Sequence, residues 1–456
     1  MTKRITTQCL FPDLLSKPLV ASFDVDHGSS DGGAVLLKAA DRRLDLLSGL
    51  TDCVVDRRDP DKVVHDVSEL LGQRVFGLAC GYADCNDTAR LGADPVHKAL
   101  IGRDPIDGED LGSQPTLSRF ENSIGSRELY KMSEVVLERV VRRHRKRLRQ
   151  KVRQVTIDLD VTEDATHGGQ QLSLFNGFYD SYCYLPLLGF ITFNDEPEQY
   201  LCAAMLRSGT AGCVVGAVGM LRRIIRSLRR AFPGVRVVVR LDGGFASPAL
   251  FDFLDEQENL GYVVGFPKNA VLQRRVASAM RRVRRHARQR YQSVREYGHH
   301  FYAARSWKRE RRVVYKAETV RYVGRELKDN PRFVVTNLRI ISRRVYEFYC
   351  QRGEVENRIK ELQDGMHIGR TSCSRFWPNQ FRVLLTAAAY ALMQELRLWA
   401  RRTRFARAQV ETLRIGLLKI GARVEVSVRR IVLHLPRAFA FLDVWERVAA
   451  VAARAG

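Results

Sequence analysis

The sequence lacks the features that would place the protein in a membrane or outside the cell. Its longest apolar stretch, residues 211–221, is too short to span a bilayer and is followed at once by two arginines. Residues 1–8 contain no apolar segment of the kind that a signal peptide needs. The nine cysteines include no Cys-x-x-Cys pair, and the closest two are Cys80 and Cys85. We therefore expect a cytoplasmic protein with reduced thiols, no disulfide framework, no zinc knuckle and no membrane partner.

Acidic residues are scarce relative to basic ones. Lys and Arg total 75 against 51 Asp and Glu, so the 456-residue chain has a formal net charge of +24. Most of the excess is arginine, whose planar guanidinium suits bidentate contact with phosphate. The charge favours a polyanion as partner over a small acidic substrate. A hydrophobic content of 45% is ample for a large core and several structural units.

Against this basic background, three acidic residues lie in local settings that favour a metal site. Asp160 and Asp242 each follow an alternating apolar run typical of a strand, and Glu356 lies in segment 349–362, whose pattern predicts a helix. Each acid alone is more often a turn cap or a helix ion pair. Together, two carboxylates at strand ends and one on a helix can converge over a sheet. Such a cluster could hold two metal ions on a phosphodiester, and Mg²⁺ suits it because it takes few protein carboxylates.

The order of elements from residue 154 predicts the fold class. Strands are expected at 154–160, 182–188, 190–193, 235–241 and 262–266, with helices at 210–231 and from 248. This order predicts an α/β fold, a ribonuclease-H-like mixed sheet of five strands with flanking helices, interrupted by an inserted subdomain. We predict five regions, namely a mainly helical N-terminal DNA-binding region at 1–150, the catalytic core at 151–269 and 333–400, a basic insertion at 270–332, and a helical and strand tail at 401–456 that could serve dimerisation.

Two arginine-rich segments are candidate DNA contacts. The long helix expected to end near residue 151 carries Arg142 and Arg143 in its final turns; such a run is usually a solvated face, but the global charge favours DNA. Residues 271–296 hold nine arginines and one acid. Within them we assign to phosphate contact Arg281, Arg282, Arg284 and Arg285. Trp307 is a candidate for base stacking, with packing in the small core of the insertion as the somewhat favoured alternative.

These patterns together resemble a known family. Tyr349, Arg352 and Glu356 have the Tyr-x2-Arg-x3-Glu spacing that DDE transposases of bacterial insertion sequences carry around their third acid. Segments that resemble the group of insertion sequences numbered thirteen-eighty extend over nearly the whole chain, at 24–33, 56–60, 156–168, 240–246 and 356–362.

The resemblance implies cut-and-paste transposition, with hydrolytic nicking at the transposon ends, excision, and attack of the freed 3′-hydroxyl on target DNA. It implies that Asp160, Asp242 and Glu356 are the catalytic metal ligands of two Mg²⁺ ions, with Mn²⁺ as a substitute. The implied partners are the terminal inverted repeats, target DNA and a second copy of the chain in a synaptic homodimer. The implied location is the bacterial cytoplasm, in association with the nucleoid.

Two signature residues have their own expected roles. Arg352 precedes Glu356 by four residues and so shares its helical face, where a guanidinium could clamp a DNA phosphate; an Arg–Glu pair within the helix is the alternative. Tyr349 is assigned to the terminal nucleotides, with core packing as the alternative. The family has a Lys seven residues after its Glu, but Gln363 stands there, and Lys360 is the candidate substitute for DNA contact.

Some alternatives remain open. Asp158 is two residues from Asp160 and shares its strand face, although the Asp-x-Thr pattern favours Asp160. Glu354 is a weaker competitor for Glu356, since it lies about 200° away around the helix. The runner-up functions are a DNA nuclease or resolvase with the same fold and a domesticated DNA-binding repressor, which would have no use for three acids.

Overall fold

The computed structural model describes residues 8–11, 13–149, 151–322 and 325–454. The other residues of the predicted N-terminal region, insertion and tail lie outside the described residues. The chain forms two compact units, one from Met1–Ala40, Arg58–Ser118 and Glu395–Gly456, the other from Asp41–Arg57 and Arg119–Gln394. The domain boundaries and roles expected from the sequence remain predictions. Within the described residues, every helix is too short or too polar to cross a membrane.

The strands of the described residues are, in chain order, β1 Gln8–Phe11, β2 Leu19–Ser22, β3 Gly28–Ser29, β4 Gln154–Val161, β5 Asp164–Ala165, β6 Leu174–Asn176, β7 Ser181–Tyr184, β8 Leu187–Phe193, β9 Tyr200–Met205, β10 Arg236–Leu241, β11 Leu260–Phe266, β12 Val294–Tyr302, β13 Arg311–Val320, β14 Lys328–Asp329, β15 Arg332–Thr336, β16 Ala422–Ser427 and β17 Arg430–His434.

The α-helices of the same residues are α1 Val35–Leu44, α2 Leu46–Thr51, α3 Val67–Ala79, α4 Cys85–Ala89, α5 Pro95–Ile101, α6 Gln114–Ser123, α7 Ser126–Leu148, α8 Ala217–Ala231, α9 Pro248–Asp255, α10 Ala270–Arg290, α11 Ser342–Cys350, α12 Gly353–Lys360, α13 Phe376–Trp399, α14 Val410–Leu413 and α15 Leu442–Ala453.

The second unit is built on one mixed sheet with the strand order β12-β13-β15-β11-β10-β4-β8-β9. In its centre β4 pairs in parallel with β10 and antiparallel with β8, while β11 is parallel to β10 and β9 antiparallel to β8. Five neighbouring strands of this sheet, in the order β11-β10-β4-β8-β9, form its mixed core, and helices such as α8 connect them in sequence. This arrangement confirms the predicted α/β ribonuclease-H-like class. Central β4 is buried on both faces, with Val155, Ile157 and Leu159 fully buried on one side.

The predicted insertion continues this sheet. Antiparallel β12 and β13 pair from Val294↔Thr319 to Tyr302↔Arg311, and β13 also pairs with β15, which returns to β11. Helix α10 covers the added strands, with buried Ala279 and Val283 packed against Ala317 of β13. The apolar positions of this arginine-rich helix therefore face the sheet, while some of its arginines reach back to the strands, as Arg282 does to Glu296 of β12 and Arg284 to Asp329 of β14.

The first unit contains the hairpin β1–β2 and the small sheet β17-β16-β3. Three distant segments meet at a buried polar cluster, in which the Asp31 carboxylate lies 2.9 Å from His97 Nε2 and 2.8 Å from Lys419 Nζ. Burial raises the pKa of Asp31, but His97 and Lys419 outweigh it and hold the pKa below its ordinary value. Lys419 also donates to the Tyr82 hydroxyl at 3.1 Å. The cluster ties the beginning, middle and end of this unit together.

Candidate metal centre

The first predicted ligand, Asp160, lies near the carboxyl end of the central strand β4. Its Oδ1 accepts a hydrogen bond from the Val161 amide at 2.9 Å, and its Oδ2 accepts one from Arg352 Nη1 at 2.6 Å. Burial raises the pKa of Asp160 to about 6; the Arg352 guanidinium lowers it and the Asp242 charge raises it. A desolvated carboxylate is thus held at the carboxyl end of a central strand, beside a second acid, and this setting favours a bound cation.

The second predicted ligand, Asp242, immediately follows β10. The parallel register pairs Arg240 with Asp158, and continuing it by two places sets Asp242 beside Asp160. The Asp242 carboxylate accepts a hydrogen bond from the Gly244 amide at 2.9 Å and so caps a short 3₁₀ turn. A Cβ on Gly244 would lie 2.8 Å from Cys213 Sγ, which explains the glycine at this crowded turn. Parallel pairing and the turn together fix the position of this acid.

The third predicted ligand, Glu356, lies on α12, and its side chain is 61% exposed. Segment 349–362 does not form the single helix expected from the sequence, because α11 ends at Cys350 and α12 begins at Gly353. Arg352 stands at this break, with the side chains of Asp160 and Glu356 at 2.6 and 3.4 Å from its guanidinium. The arginine therefore brings an acid on the sheet and an acid on a helix around one cation.

The charges of both strand-end acids, Asp160 and Asp242, act on the Arg352 guanidinium. Its burial lowers its pKa, but the charges of Asp160 and Asp242 outweigh this effect and raise the pKa above its ordinary value. The structure thus places Asp160 and Glu356 against one guanidinium, with Asp242 near enough for its charge to act on it. The alternative role for Arg352, an ion pair with Glu356 within one helix, accounts only for its 3.4 Å contact and not for its 2.6 Å contact with Asp160.

The donor chemistry of the centre fits a hard divalent cation. All three candidate ligands are carboxylates, the oxygen donors that Mg²⁺ and Mn²⁺ prefer. Among the described residues, the His, Cys, Asp and Glu donors that all lie within 4.8 Å of one another are Asp31, Cys80 and His97, so the three carboxylates are spaced more widely. A wider spacing is compatible with ligands shared between two ions.

Asp158, the competitor of Asp160, has a different environment. It is fully buried, and Arg240 Nε and Nη2 donate to its two oxygens at 2.7 and 2.9 Å. Burial raises the pKa of Asp158 while Arg240 lowers it. Arg240 also donates to the Phe348 carbonyl at 2.9 Å and so links β10 to α11. This bidentate pair occupies both oxygens, which favours Asp160 as the ligand.

Two groups near the centre, Gln363 and Asp164, have partners that sequence reasoning did not predict. Gln363 donates to Thr162 Oγ1 at 2.6 Å, next to the end of β4. Buried Asp164 accepts a hydrogen bond from Thr371 Oγ1 at 2.7 Å, and burial raises its pKa to about 7. The position of Gln363 in the signature was a signal in the sequence, but its partner lies 201 residues away. No local pattern predicts such a contact.

A cavity of about 500 Å³ adjoins the second acid. Its wall includes Gly243 and Tyr349 and three cationic side chains, those of Lys268, Lys316 and Arg332. Burial raises the pKa of Tyr349, so its hydroxyl stays protonated at neutral pH. A Cβ on Gly265 would lie 2.6 Å from this hydroxyl, and the glycine therefore makes room for the tyrosine.

The four arginines of α10 that the sequence assigns to phosphate contact fall into two classes. Arg282 pairs with Glu296 at 2.5 Å and Arg284 with Asp329 at 2.7 Å. Arg281 and Arg285 are exposed and have no ion-pair partner among the described residues. Arg281 and Arg285 are therefore more available to bind a polyanion than Arg282 and Arg284.

The other predicted DNA contacts lie in varied surroundings. Trp307 is half-buried among Phe251, Phe266 and Tyr302, with ring centroids 5.2 to 5.5 Å away, as its packing alternative expects. Arg142 pairs with Asp45 at 3.1 Å, and Arg143 is buried. Lys360 is exposed at the end of α12. The DNA contacts assigned to these side chains remain predictions.

Comparison with known proteins agrees with this architecture. No curated protein matches the chain. A family model described as transposase DDE domain group 1 matches residues 11–455. Since the match covers nearly the whole chain, the protein belongs to the DDE-domain transposases of group 1.

Proposed function

We propose that the protein catalyses cut-and-paste DNA transposition for a bacterial insertion sequence, by two-metal hydrolysis at the transposon ends and strand transfer to target DNA. The observation that carries the proposal is the convergence of Asp160, Asp242 and Glu356 around the Arg352 guanidinium at the carboxyl edge of the sheet. The DDE family acts on DNA with divalent metal ions, and the basic chain suits that partner.

In this proposal Asp160, Asp242 and Glu356 hold two Mg²⁺ ions, which Mn²⁺ can replace. When bound, the ions activate the attacking oxygen and stabilise the leaving oxygen of the scissile phosphodiester. Arg352, now bonded to Asp160, would release that carboxylate and bind a non-bridging phosphate oxygen. The guanidinium thus keeps the buried carboxylate charge-compensated until the substrate arrives.

The cavity beside Asp242 suits the terminal nucleotides of the transposon. Lys268, Lys316 and Arg332 offer positive charge to phosphates, and Tyr349 offers a ring face at the same wall. The exposed Arg281 and Arg285 would add phosphate contacts farther along the duplex, as would Lys360. Two copies of the chain would bind the two ends in a synaptic homodimer.

The test uses purified protein and duplexes that end in the inverted repeats flanking the reading frame. Asp160→Asn, Asp242→Asn and Glu356→Gln should each lower Mg²⁺-dependent cleavage at least a hundred-fold, because each removes a metal ligand. End binding should change less than three-fold in a mobility-shift assay. Glu354→Gln is the matched control, since this exposed acid lies on the same helix two residues before Glu356, about 200° away around the helix axis.

Three outcomes would redirect the assignment. Strong cleavage in any of the three variants would remove that residue from the metal centre. Cleavage without joining of the 3′-ends to a second DNA would identify a nuclease or resolvase instead of a transposase, and end binding without cleavage under all metal conditions would identify a repressor.

A further inference from the structure

A highly exposed aromatic side chain lies on the hairpin that pairs with the strand following Asp160, and it has no role in the functions described so far. Phe178 is 88% exposed and stands in the turn between β6 and β7. Its neighbours on the hairpin are also exposed apolar groups, with Phe175 at 49% and Tyr182 at 62%. Exposing an apolar patch of this kind to water is unfavourable, and such patches commonly mark contact with a partner.

Hydrogen bonds of the Asn176 side chain fix the turn that carries Phe178. Asn176 Oδ1 accepts hydrogen bonds from the amides of Phe178 and Tyr179 at 3.0 and 3.3 Å. The Asn176 amide nitrogen donates to the Gly209 carbonyl at 2.7 Å, which anchors the turn to a neighbouring loop. The ring of Phe178 is therefore held outwards by a defined scaffold.

The same turn lies close to the first catalytic acid. Strand β7 pairs with β5, which follows the end of β4 and starts four residues after Asp160. Ser181 donates a hydrogen bond to Glu163, which lies between those two strands. The Tyr179 ring packs edge-on to Phe178 with centroids 4.9 Å apart, and its burial raises its pKa, as do the charges of Glu163 and Asp160.

We propose that Phe178 is a wedge that stacks on a DNA base next to the scissile phosphate and so holds the strand end distorted for cleavage. The inference rests on the proposed function and on the place of the turn, which leads into β7, the strand that pairs with the one starting four residues after Asp160. A phenyl ring has no hydrogen-bonding group, so the contact tolerates any base and does not read sequence. Apolar wedges of this kind unstack base steps in other DNA-binding proteins.

The wedge also takes over a task that the sequence suggested for another residue. Trp307, the aromatic candidate in the insertion, is enclosed by Phe251, Phe266 and Tyr302 and lies beneath the Arg311 guanidinium, 5.1 Å from its ring centroid. Phe178 needs no rearrangement to meet a base. We take DNA as the occupant of this patch because the hairpin pairs with the strand that follows Asp160, where the proposed function binds DNA. A second copy of the chain is the competing occupant.

The experiment measures base stacking without relying on cleavage. Duplex ends carry 2-aminopurine at each position from two nucleotides before to two after the scissile phosphate, and they bind the Asp242→Asn protein. We expect fluorescence to change at one position on binding, Phe178→Ala to abolish that change, and Phe178→Trp to restore it. Phe175→Ala on the same hairpin is the control and should leave the change intact.

A cleavage assay in the otherwise unaltered chain complements the fluorescence. Phe178→Ala should lower the rate at least ten-fold with less than a three-fold loss of end binding and an unchanged melting temperature, because the ring is exposed. An unchanged fluorescence signal and rate would overturn the wedge while leaving the transposase function in place. A variant that instead loses dimer formation with normal fluorescence would make the patch a protein interface. Failure of the unaltered chain to bind or cleave the ends would overturn both proposals.

Discussion

At the scale of single residues, two aspartates on one strand face are given different roles by their surroundings. Asp160 was identifiable from the sequence as a strand-end acid, and the structure gives it one arginine contact and a neighbouring acid. Asp158 could not be assigned from the sequence, because its partner Arg240 lies 82 residues away on another strand. The local pattern finds a candidate carboxylate, whereas only tertiary contacts show which carboxylate is already neutralised.

This difference predicts unequal effects on stability. Asp158→Asn breaks a buried bidentate ion pair and leaves the Arg240 charge uncompensated, which should cost about 3–5 kcal/mol. Asp160→Asn also breaks an ion pair, but Asp242 still compensates the Arg352 charge and burial disfavours the lost carboxylate charge, so stability should change much less. Urea unfolding followed by circular dichroism checks both variants. A larger loss of stability for Asp160→Asn would show that Asp158 is not the structural member of the pair.

At the scale of elements, the core was predictable where apolar patterns are strong. The sequence predicts the strands that carry Asp160 and Asp242. It missed β9, because Tyr200–Met205 is a short apolar run without alternation, and such a run is equally typical of a buried helix. The helix expected from residue 210 begins at Ala217 because Gly216 has a φ of 78°. The break before Gly353 depends on how α11 and α12 pack, so a continuous helical pattern could not reveal it.

That break sets up a prediction for Arg352 at the start of α12. Arg352→Ala should lower the rate of end cleavage at least a hundred-fold while changing affinity for unrelated DNA less than three-fold, because its guanidinium acts at the acids and not along the duplex. Single-turnover cleavage and fluorescence anisotropy give the two quantities. Arg343→Ala, which disrupts an exposed pair with Glu347 on α11, is the control. Equal losses on end and unrelated DNA would indicate a general charge role.

At the scale of the whole molecule, the excess of basic charge predicts a salt-dependent affinity for DNA. Replacing Arg281 and Arg285 with alanine should reduce the slope of log affinity against log salt by about 0.9 for each phosphate that the variant no longer binds, because each bound phosphate releases counterions. The matched variant replaces Arg282 and Arg284, which are already paired with Glu296 and Asp329, and should change the slope less. Equal slopes in the unaltered chain and both variants would place the DNA surface elsewhere.

The grouping of the chain into units could not be predicted at this scale. One unit draws on three separated stretches of the chain and the other on two. The buried Asp31 and His97, together with the partly exposed Lys419, join such distant stretches through side chains. Composition predicts that a large core exists, while the assignment of segments to cores depends on these contacts.

The insertion has one further consequence, because its strands β12 and β13 prolong the catalytic sheet through β15. A hairpin added at the outer edge of a sheet can gain or lose residues at its tip without moving the strands behind it. In this hairpin the tip also touches the core, since Trp307 packs against Phe251 and Phe266 and Lys308 pairs with Asp252. A change of tip length would therefore disturb α9 and β11 before it reached the register that sets Asp160 beside Asp242.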